Sequence, residues 1–319
     1  MNVLISRPDR VGDVVISTTL IPALRATAGV RSVCFLGRED LRGLVAPGVD
    51  AFVAIDAPDV VERLRALELS VSLHLHPHAA AAAACATAQI PRRIGWSTDA
   101  ESLTERLPYA KDRGDRHEAE FGFDLAARIG VTAAITPGRP LIWSTVPAGF
   151  GVSDRPTLAI HVGASPGKTA LPLELLQQVA HSWVTDGGSV LALGSAAERE
   201  AGEAVLATLP AGAGRNLCGE LSLPEMAGVA GSATVFLGRD SGPAHLAAAA
   251  GGNVVVIFPA ARADMGVTRW RPLGERVRVV EVPGRARWWE KTERASRRLF
   301  ARLDAAMVLD EVRTAARSG

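Results

Sequence analysis

Apolar positions along the chain follow two alternating patterns. Short, nearly unbroken apolar runs occur at "NVLIS" (Asn2–Ser6), "SVCFL" (Ser32–Leu36), "AFVAI" (Ala51–Ile55) and "SVSLHL" (Ser70–Leu75). Between them lie stretches with apolar residues at helical spacing; Asp13 to Thr27 reads as one largely buried helix. Runs this short suit strands covered on both faces, and strands alternating with helices build parallel sheets from βαβ units. Periodicity is lost from Pro137 to Pro156, which reads as an edge strand followed by a linker. The alternation restarts with strands at "TLAIHVG" (Thr157–Gly163), "SVLALGS" (Ser189–Ser195), "ATVFLG" (Ala233–Gly238) and "NVVVIFP" (Asn253–Pro259). Helices are expected at Pro172–Thr185 and from Ala196 to about Leu209. The fold class is therefore α/β, with two Rossmann-like, doubly wound parallel-sheet domains over residues 1–150 and 151–319. Ligands of such sheets sit beyond the carboxyl ends of the strands.

Composition narrows the function classes. A net charge of +1 gives no global attraction to nucleic acid or to an anionic membrane. Cys34, Cys85 and Cys218 form neither a CxxC nor a zinc spacing, so reduced, buried thiols and a cytoplasmic location are expected. The opening "MNVLISRPDR" lacks the apolar length of a signal peptide. The apolar window from Ala244 to Ala261 is cut by "GGN", so it reads as helix, turn and strand and not as a membrane span. No GxGxxG follows a strand and no GxxxxGK[ST] occurs, which disfavours a standard dinucleotide fold and a P-loop. Only three of the 35 basic residues are lysines, so Lys168 in a glycine-rich loop stands out.

Three loops carry candidate chemistry. "RPDRVGD" after the first strand offers Gly12 for a tight turn and Asp13 where a helix begins; Asp13 is either an N-cap or a proton-accepting carboxylate. Arg7 and Arg10 beside it either hold an anion or belong to a solvated loop. "GASPGK" (Gly163, Ser165 and Lys168 among its residues) is either a plain βα loop or a cradle of N–H groups and one ammonium for a diphosphate. "GRDSGPAHLAAAAGG" puts Asp240, Ser241, Gly242 and His245 at the mouth of an alanine-rich helix, through capping or through anion binding at a helix N-terminus. Gly194, Ser195 and Glu198 at another strand end could meet a ribose, or Glu198 is simply a first-turn acid. In "HLHPH", His74 and His76 alternate along a strand and so face one side. They fall short of the three or four placed ligands a metal needs, so no metal site is expected.

Four segments together resemble glycosyltransferase family 9, the ADP-heptose:lipopolysaccharide heptosyltransferases. They are "RPDRVGDVVISTTLIPALR", "PRRIGW", "IHVGASPGKTALPLELL" and "GRDSGPAHLAAAAGGNVVVIFP". The resemblance implies a GT-B architecture, with an acceptor-side first domain facing a nucleotide-sugar-binding second domain across a cleft. It implies an inverting, metal-independent transfer without a cofactor beyond the nucleotide-sugar donor, ADP-heptose, to a lipid-linked or oligosaccharide acceptor. In that reading Asp13 is the base, and Arg10, Gly12, His74 and His76 lie on the acceptor side. Lys168, Asp240, Ser241, Gly242 and His245 serve the donor, with Gly163, Ser165, Gly194, Ser195 and Glu198 around them.

The chain departs from that pattern at Arg239, where a small polar residue is usual, and at Leu171, where a tryptophan is usual. Lys168 also stands one place further from Pro172 than the family lysine does. The segment "GRARWWEKTERASRRLFARL" is basic and aromatic. It reads either as a closing helix packed back across the domains or as a peripheral contact with the inner membrane. Two other functions stay open: the same chemistry with a different nucleotide sugar or acceptor, and a nucleotide-sugar-binding protein that has lost catalysis.

Overall fold

The structure is a computed structural model and describes residues 1–98, 101–108, 114–132, 139–149, 155–164, 168–259, 266–282, 284 and 292–318. The chain divides into two compact units, Met1–Trp143 and Ser144–Gly319.

The first unit holds strands β1 (Asn2–Ser6), β2 (Ser32–Gly37), β3 (Ala51–Ala54), β4 (Val71–His74), β5 (Arg92–Trp96) and β6 (Glu105–Leu107). Its helices are α1 (Val11–Ser17), α2 (Leu20–Ala26), α3 (Arg42–Val45), α4 (Val60–Ala66), α5 (Ala79–Thr87) and α6 (Glu118–Ala127). All strand pairs are parallel, in the order β3-β2-β1-β4-β5-β6. The direction of winding reverses between β1 and β4, which is where this topology opens a crevice.

The helix expected over Asp13–Thr27 is two helices. Pro22 has no N–H to give to the carbonyl four residues back. Thr18 O accepts from Ile21 N instead, and the Thr18 and Thr19 hydroxyls turn back onto Val15 O and Ile16 O. The chain steps sideways there and still buries Val14, Val15, Leu20, Ile21 and Leu24 under the sheet.

The second unit holds β7 (Thr157–His161), β8 (Ser189–Leu193), β9 (Gly214–Asn216), β10 (Val235–Arg239), β11 (Val254–Pro259) and β12 (Val277–Val282). Its helices are α7 (Leu173–Thr185), α8 (Arg199–Leu206), α9 (Leu223–Ser232), α10 (Gly242–Ala249), α11 (Val267–Trp270), α12 (Thr292–Phe300) and α13 (Ala305–Arg317). The order β12-β11-β10-β7-β8-β9, again all parallel, repeats the winding of the first sheet, with the reversal between β7 and β10.

The core sides are clear. Leu158, Ile160, Val235, Leu237, Val255 and Ile257 face α7, α12 and α13. Ala159, Phe236, Val254, Val256 and Phe258 face α9 and α10. The alanine run of α10 is a packing device. A Cβ on Gly231 of α9 would stand only 2.5 Å from Ala250 Cβ, so small residues let the two helices approach closely.

Several expectations change. Edge strands β6 and β9 are three-residue, polar segments that no hydrophobic period marks. The described part of the Pro137–Pro156 stretch, residues 139–149 and 155–156, carries no strand. Its backbone is tied down singly, Trp143 N to Leu44 O and Thr145 N to Pro224 O. In the basic-aromatic segment, Trp288 and Trp289 lie outside the described residues. Phe300 is 1% exposed inside the second core, and α13 packs on α7 and on strands of its own sheet. All three cysteines are buried and unpaired, and burial pushes the Cys218 thiol up to about 11. No described helix is long and apolar enough to cross a membrane.

Candidate active site

Both switch points gather polar residues, each by a different device. In the first unit, β1 ends at Ser6, and Leu75 N, just past the end of β4, bonds Ser6 O, which keeps the two strand exits side by side. Arg7 follows and turns inward. Its side chain is 2% exposed. Nη1 donates to Leu75 O at 3.1 Å and to Glu118 Oε1 at 3.1 Å. Nη2 donates to Asp13 Oδ1 at 2.5 Å and lies 3.5 Å from Asp9 Oδ2. A buried guanidinium needs acceptors on its fork, and this geometry supplies them from three elements. Arg7 is therefore an internal brace, neither an anion-holding arm nor part of a solvated loop.

Asp13 stands in the first turn of α1, and the N-cap is Arg10, whose side chain makes no capping bond. Asp13 is thus not the N-cap that local chemistry allowed. Oδ1 is taken by Arg7, whereas Oδ2 makes no hydrogen bond among the described residues and the side chain keeps 15% of its surface open. Burial pushes the Asp13 carboxyl above the usual carboxylate range; the Arg7 charge opposes this, and Asp9 and Glu118 add to it. A carboxylate that is partly open, oriented at one oxygen and raised in basicity can accept a proton.

Gly12 is buried in the same turn and Arg10 is exposed beside it. The two histidines separate. His74 ends β4, is fully buried, and its Nε2 lies 3.0 Å from Ser72 Oγ; burial drops it to about 4, so it is neutral. His76 lies beyond the strand and is 41% exposed, with Nδ1 3.8 Å from Asp9 Oδ2. The strand stops at His74, so strict alternation does not carry to His76, and one side chain is buried where the other is exposed. Glu118, 2% exposed, was not legible in advance: it is 111 residues from Arg7 and reads as an ordinary first-turn acid of α6.

In the second unit the loop after β7 begins Val162, Gly163, Ala164; Ser165 lies outside the described residues. Ala164 N donates to Glu198 Oε1 at 3.0 Å. Ser195 N and Oγ donate to Glu198 Oε2 at 2.6 and 3.0 Å. Glu198 is thus a capping-box acid that clamps the β7 and β8 exits together. That clamp explains both glycines. A Cβ on Gly163 would overlap the Glu198 carboxylate, and one on Gly194 would stand 2.9 Å from Oε2.

Asp240 follows β10, its N–H bonded to Ile257 O at 3.0 Å, and it is 9% exposed. Ser241 is the N-cap of α10, yet its hydroxyl does not cap the helix. It donates to Arg239 O at 3.2 Å and lies 3.5 Å from His161 Nδ1. Gly242 and Pro243 open the helix, and Pro243 has no N–H to satisfy. His245, one turn on, is buried. Lys168 is half-buried at the far end of the β7–α7 loop.

Two residues here were not assigned from sequence. His161, the last residue of β7, is buried and held neutral at about 4, chiefly by burial. Arg239 is 3% exposed; it donates to Asp240 O at 3.2 Å and to Thr169 O, and its guanidinium lies 5.6 Å from the Phe300 ring centre. The unusual arginine thus ties the strand end to the β7–α7 loop. Among the described residues no group of three or more His, Cys, Asp or Glu could hold a metal ion.

Two all-parallel sheets with one shared winding, each gathering its polar residues at the switch point, define an α/β protein of the GT-B class. The chain belongs to glycosyltransferase family 9 (heptosyltransferase), whose model matches residues 59–295, and the protein is a glycosyltransferase. The match begins after the β1–α1 loop, so Asp13 lies outside it. The fold is similar to that of Escherichia coli ADP-heptose lps heptosyltransferase II, at 22% identity and TM-score 0.81 over 100% of this chain and 99% of that one. A family 9 glycosyl transferase from Veillonella parvula is similar at 16% identity and TM-score 0.82, covering 100% and 98%. E. coli heptosyltransferase WaaC with ADP is similar at 16% and TM-score 0.71, covering 99% and 100%. No curated protein matches the chain by sequence.

Proposed function

We propose that this protein transfers heptose from ADP-heptose to a lipopolysaccharide core sugar or a related acceptor, with inversion and without a metal. The observation that carries the reading is Asp13: a carboxylate at the first switch point, braced at Oδ1, open at Oδ2 and raised in basicity by burial. The acceptor oxygen bonds the anomeric carbon as its proton passes to Asp13. The bond from that carbon to the diphosphate breaks, and the electron pair leaves on the diphosphate. Fixed donors stabilise the growing charge. In this reading they are the N–H groups of Ser241 and Gly242 at the start of α10, where no side chain caps the helix, together with Lys168. Asp240 would repel a phosphate, so it accepts from hydroxyls of the donor sugar, with His245 beside it. Glu198 has three of its acceptor positions filled, which favours bracing the loops over binding a ribose.

A second reading keeps the chemistry and changes the substrate. It is favoured by Arg239 at the end of β10 and by burial of His74, which takes that side chain out of acceptor contact. Thermal-shift titration with ADP, UDP, GDP and their sugars separates the two. A response to ADP alone supports the first, and a response to another nucleotide supports the second. Turnover of a responding sugar nucleotide excludes a lapsed binding protein.

A further inference from the structure

The first switch point holds more negative charge than its cation can balance. Arg7, a permanent cation, meets Asp13 at 2.5 Å, Glu118 at 3.1 Å and Asp9 at 3.5 Å. Arg7 and Glu118 are each 2% exposed, Asp13 15% and Asp9 21%. An arginine devoted to one carboxylate lowers that group's pKa by about 1–3 units and so makes it a poor base. Here the arms are divided. Nη2 goes to Asp13, and Nη1 goes to Glu118 on a separate helix.

We propose that Glu118 is a positioning residue for the transfer: by occupying Nη1 and adding a second buried negative charge, it keeps Asp13 basic while Arg7 keeps it oriented. The proposal rests on Asp13 as the base. The charged and titratable groups facing Asp13 among the described residues are Arg7 and Asp9 from its own loop and Glu118 from α6. His76, from the segment after β4, reaches Asp9. Removing the Glu118 charge leaves Arg7 more fully to Asp13 and takes away a repulsive neighbour, so Asp13 becomes a weaker base.

The test is Glu118→Gln, which keeps an oxygen for Arg7 Nη1, read in two ways. Carbon NMR of the Asp13 carboxyl, assigned against Asp13→Asn, gives its titration midpoint; the pH profile of kcat/KM gives its acid limb. We expect both to move down by about one pH unit. We expect kcat on the plateau to fall several-fold, on the order of three- to tenfold, and donor KM to stay unchanged. Glu118→Asp, which restores the charge, should return the midpoint towards the wild-type value. Asp9→Asn should shift it in the same direction by at least as much, because the Asp9 charge bears on Asp13 more strongly than the Glu118 charge does. It carries the test if Glu118→Gln does not fold. A midpoint that stays or rises in Glu118→Gln, or stays in Asp9→Asn where that variant stands in, overturns the role of Glu118. A midpoint that falls while the acid limb stays put leaves the electrostatics intact and overturns Asp13 as the base.

Discussion

The two units share one winding and put opposite chemistry at the same topological place. At the β1/β4 switch point the loop turns a long cation inward and surrounds it with carboxylates. Beside the β7/β10 switch point the Glu198 carboxylate is spent on clamping the β7 and β8 exits through two backbone N–H groups and the Ser195 hydroxyl, and the helix start beyond β10 has no side-chain cap. The first arrangement concentrates negative charge and raises the carboxyl proposed as the base; the second presents backbone N–H groups. Topology therefore decides where chemistry occurs, and a handful of loop side chains decide its sign.

Breaking the proposed base has the largest expected effect. Asp13→Asn should lower kcat by about 10²–10⁴-fold, the range for a general base, with donor affinity by calorimetry unchanged. Near-normal turnover would end the comparison, because the first switch point would then have no acid–base role.

Next comes the brace. Arg7→Met strands three carboxylates, one of them deeply buried, and should cost about 3–5 kcal/mol at neutral pH, read from denaturant melts. The sign with pH follows from charge. The stranded carboxylates take up protons more readily folded than unfolded, so the deficit is full at neutral pH and shrinks on acidification. A deficit that does not change with pH would mean that lost packing, and not charge, is the cause.

The second switch point is probed by ligand. A nucleotide at 100 times its Kd should stabilise by about 2.7 kcal/mol, and Asp13→Asn should leave that gain intact because it lies in the other unit. Loss of the gain in that variant would show that the two regions are not chemically separate. Gly163→Ala tests the clamp. The new methyl meets the Glu198 carboxylate, whose position is held by three hydrogen bonds, so a loss of about 1–3 kcal/mol is expected together with weaker nucleotide binding. Gly122→Ala in the first unit crowds Leu20 Cδ1, at 2.7 Å, and should disturb stability without touching nucleotide affinity.

The smallest effect is a stability gain. The Asp13 carboxyl titrates above its usual range, so in its charged form it costs stability. Asp13→Asn should melt slightly higher than the wild type at neutral pH. The advantage should vanish as pH falls through the raised folded pKa to the ordinary carboxylate value, below which both states are protonated. Melts at two pH values check this.

Much of this molecule follows from the chain alone, because its information is local. Runs such as "NVLIS" and "NVVVIFP" are apolar on successive positions, and at this length that pattern suits a strand covered on both faces. Asp13, Asp240, Ser241 and His245 stand within a few residues of strand ends, where a parallel sheet places its ligands. The short polar strands β6 and β9 were invisible, since their pairing comes from neighbours and not from their own side chains. The break between α1 and α2 was available in Pro22 but outweighed by apolar spacing. What only the tertiary structure decided is electrostatic. Arg7 meets Glu118 across 111 residues, Glu198 is used up on Ala164, and Arg239 reaches Thr169. A charge's partner and its burial depend on which distant segments the fold brings to the same edge of the sheet, and no local pattern in a sequence records that distance.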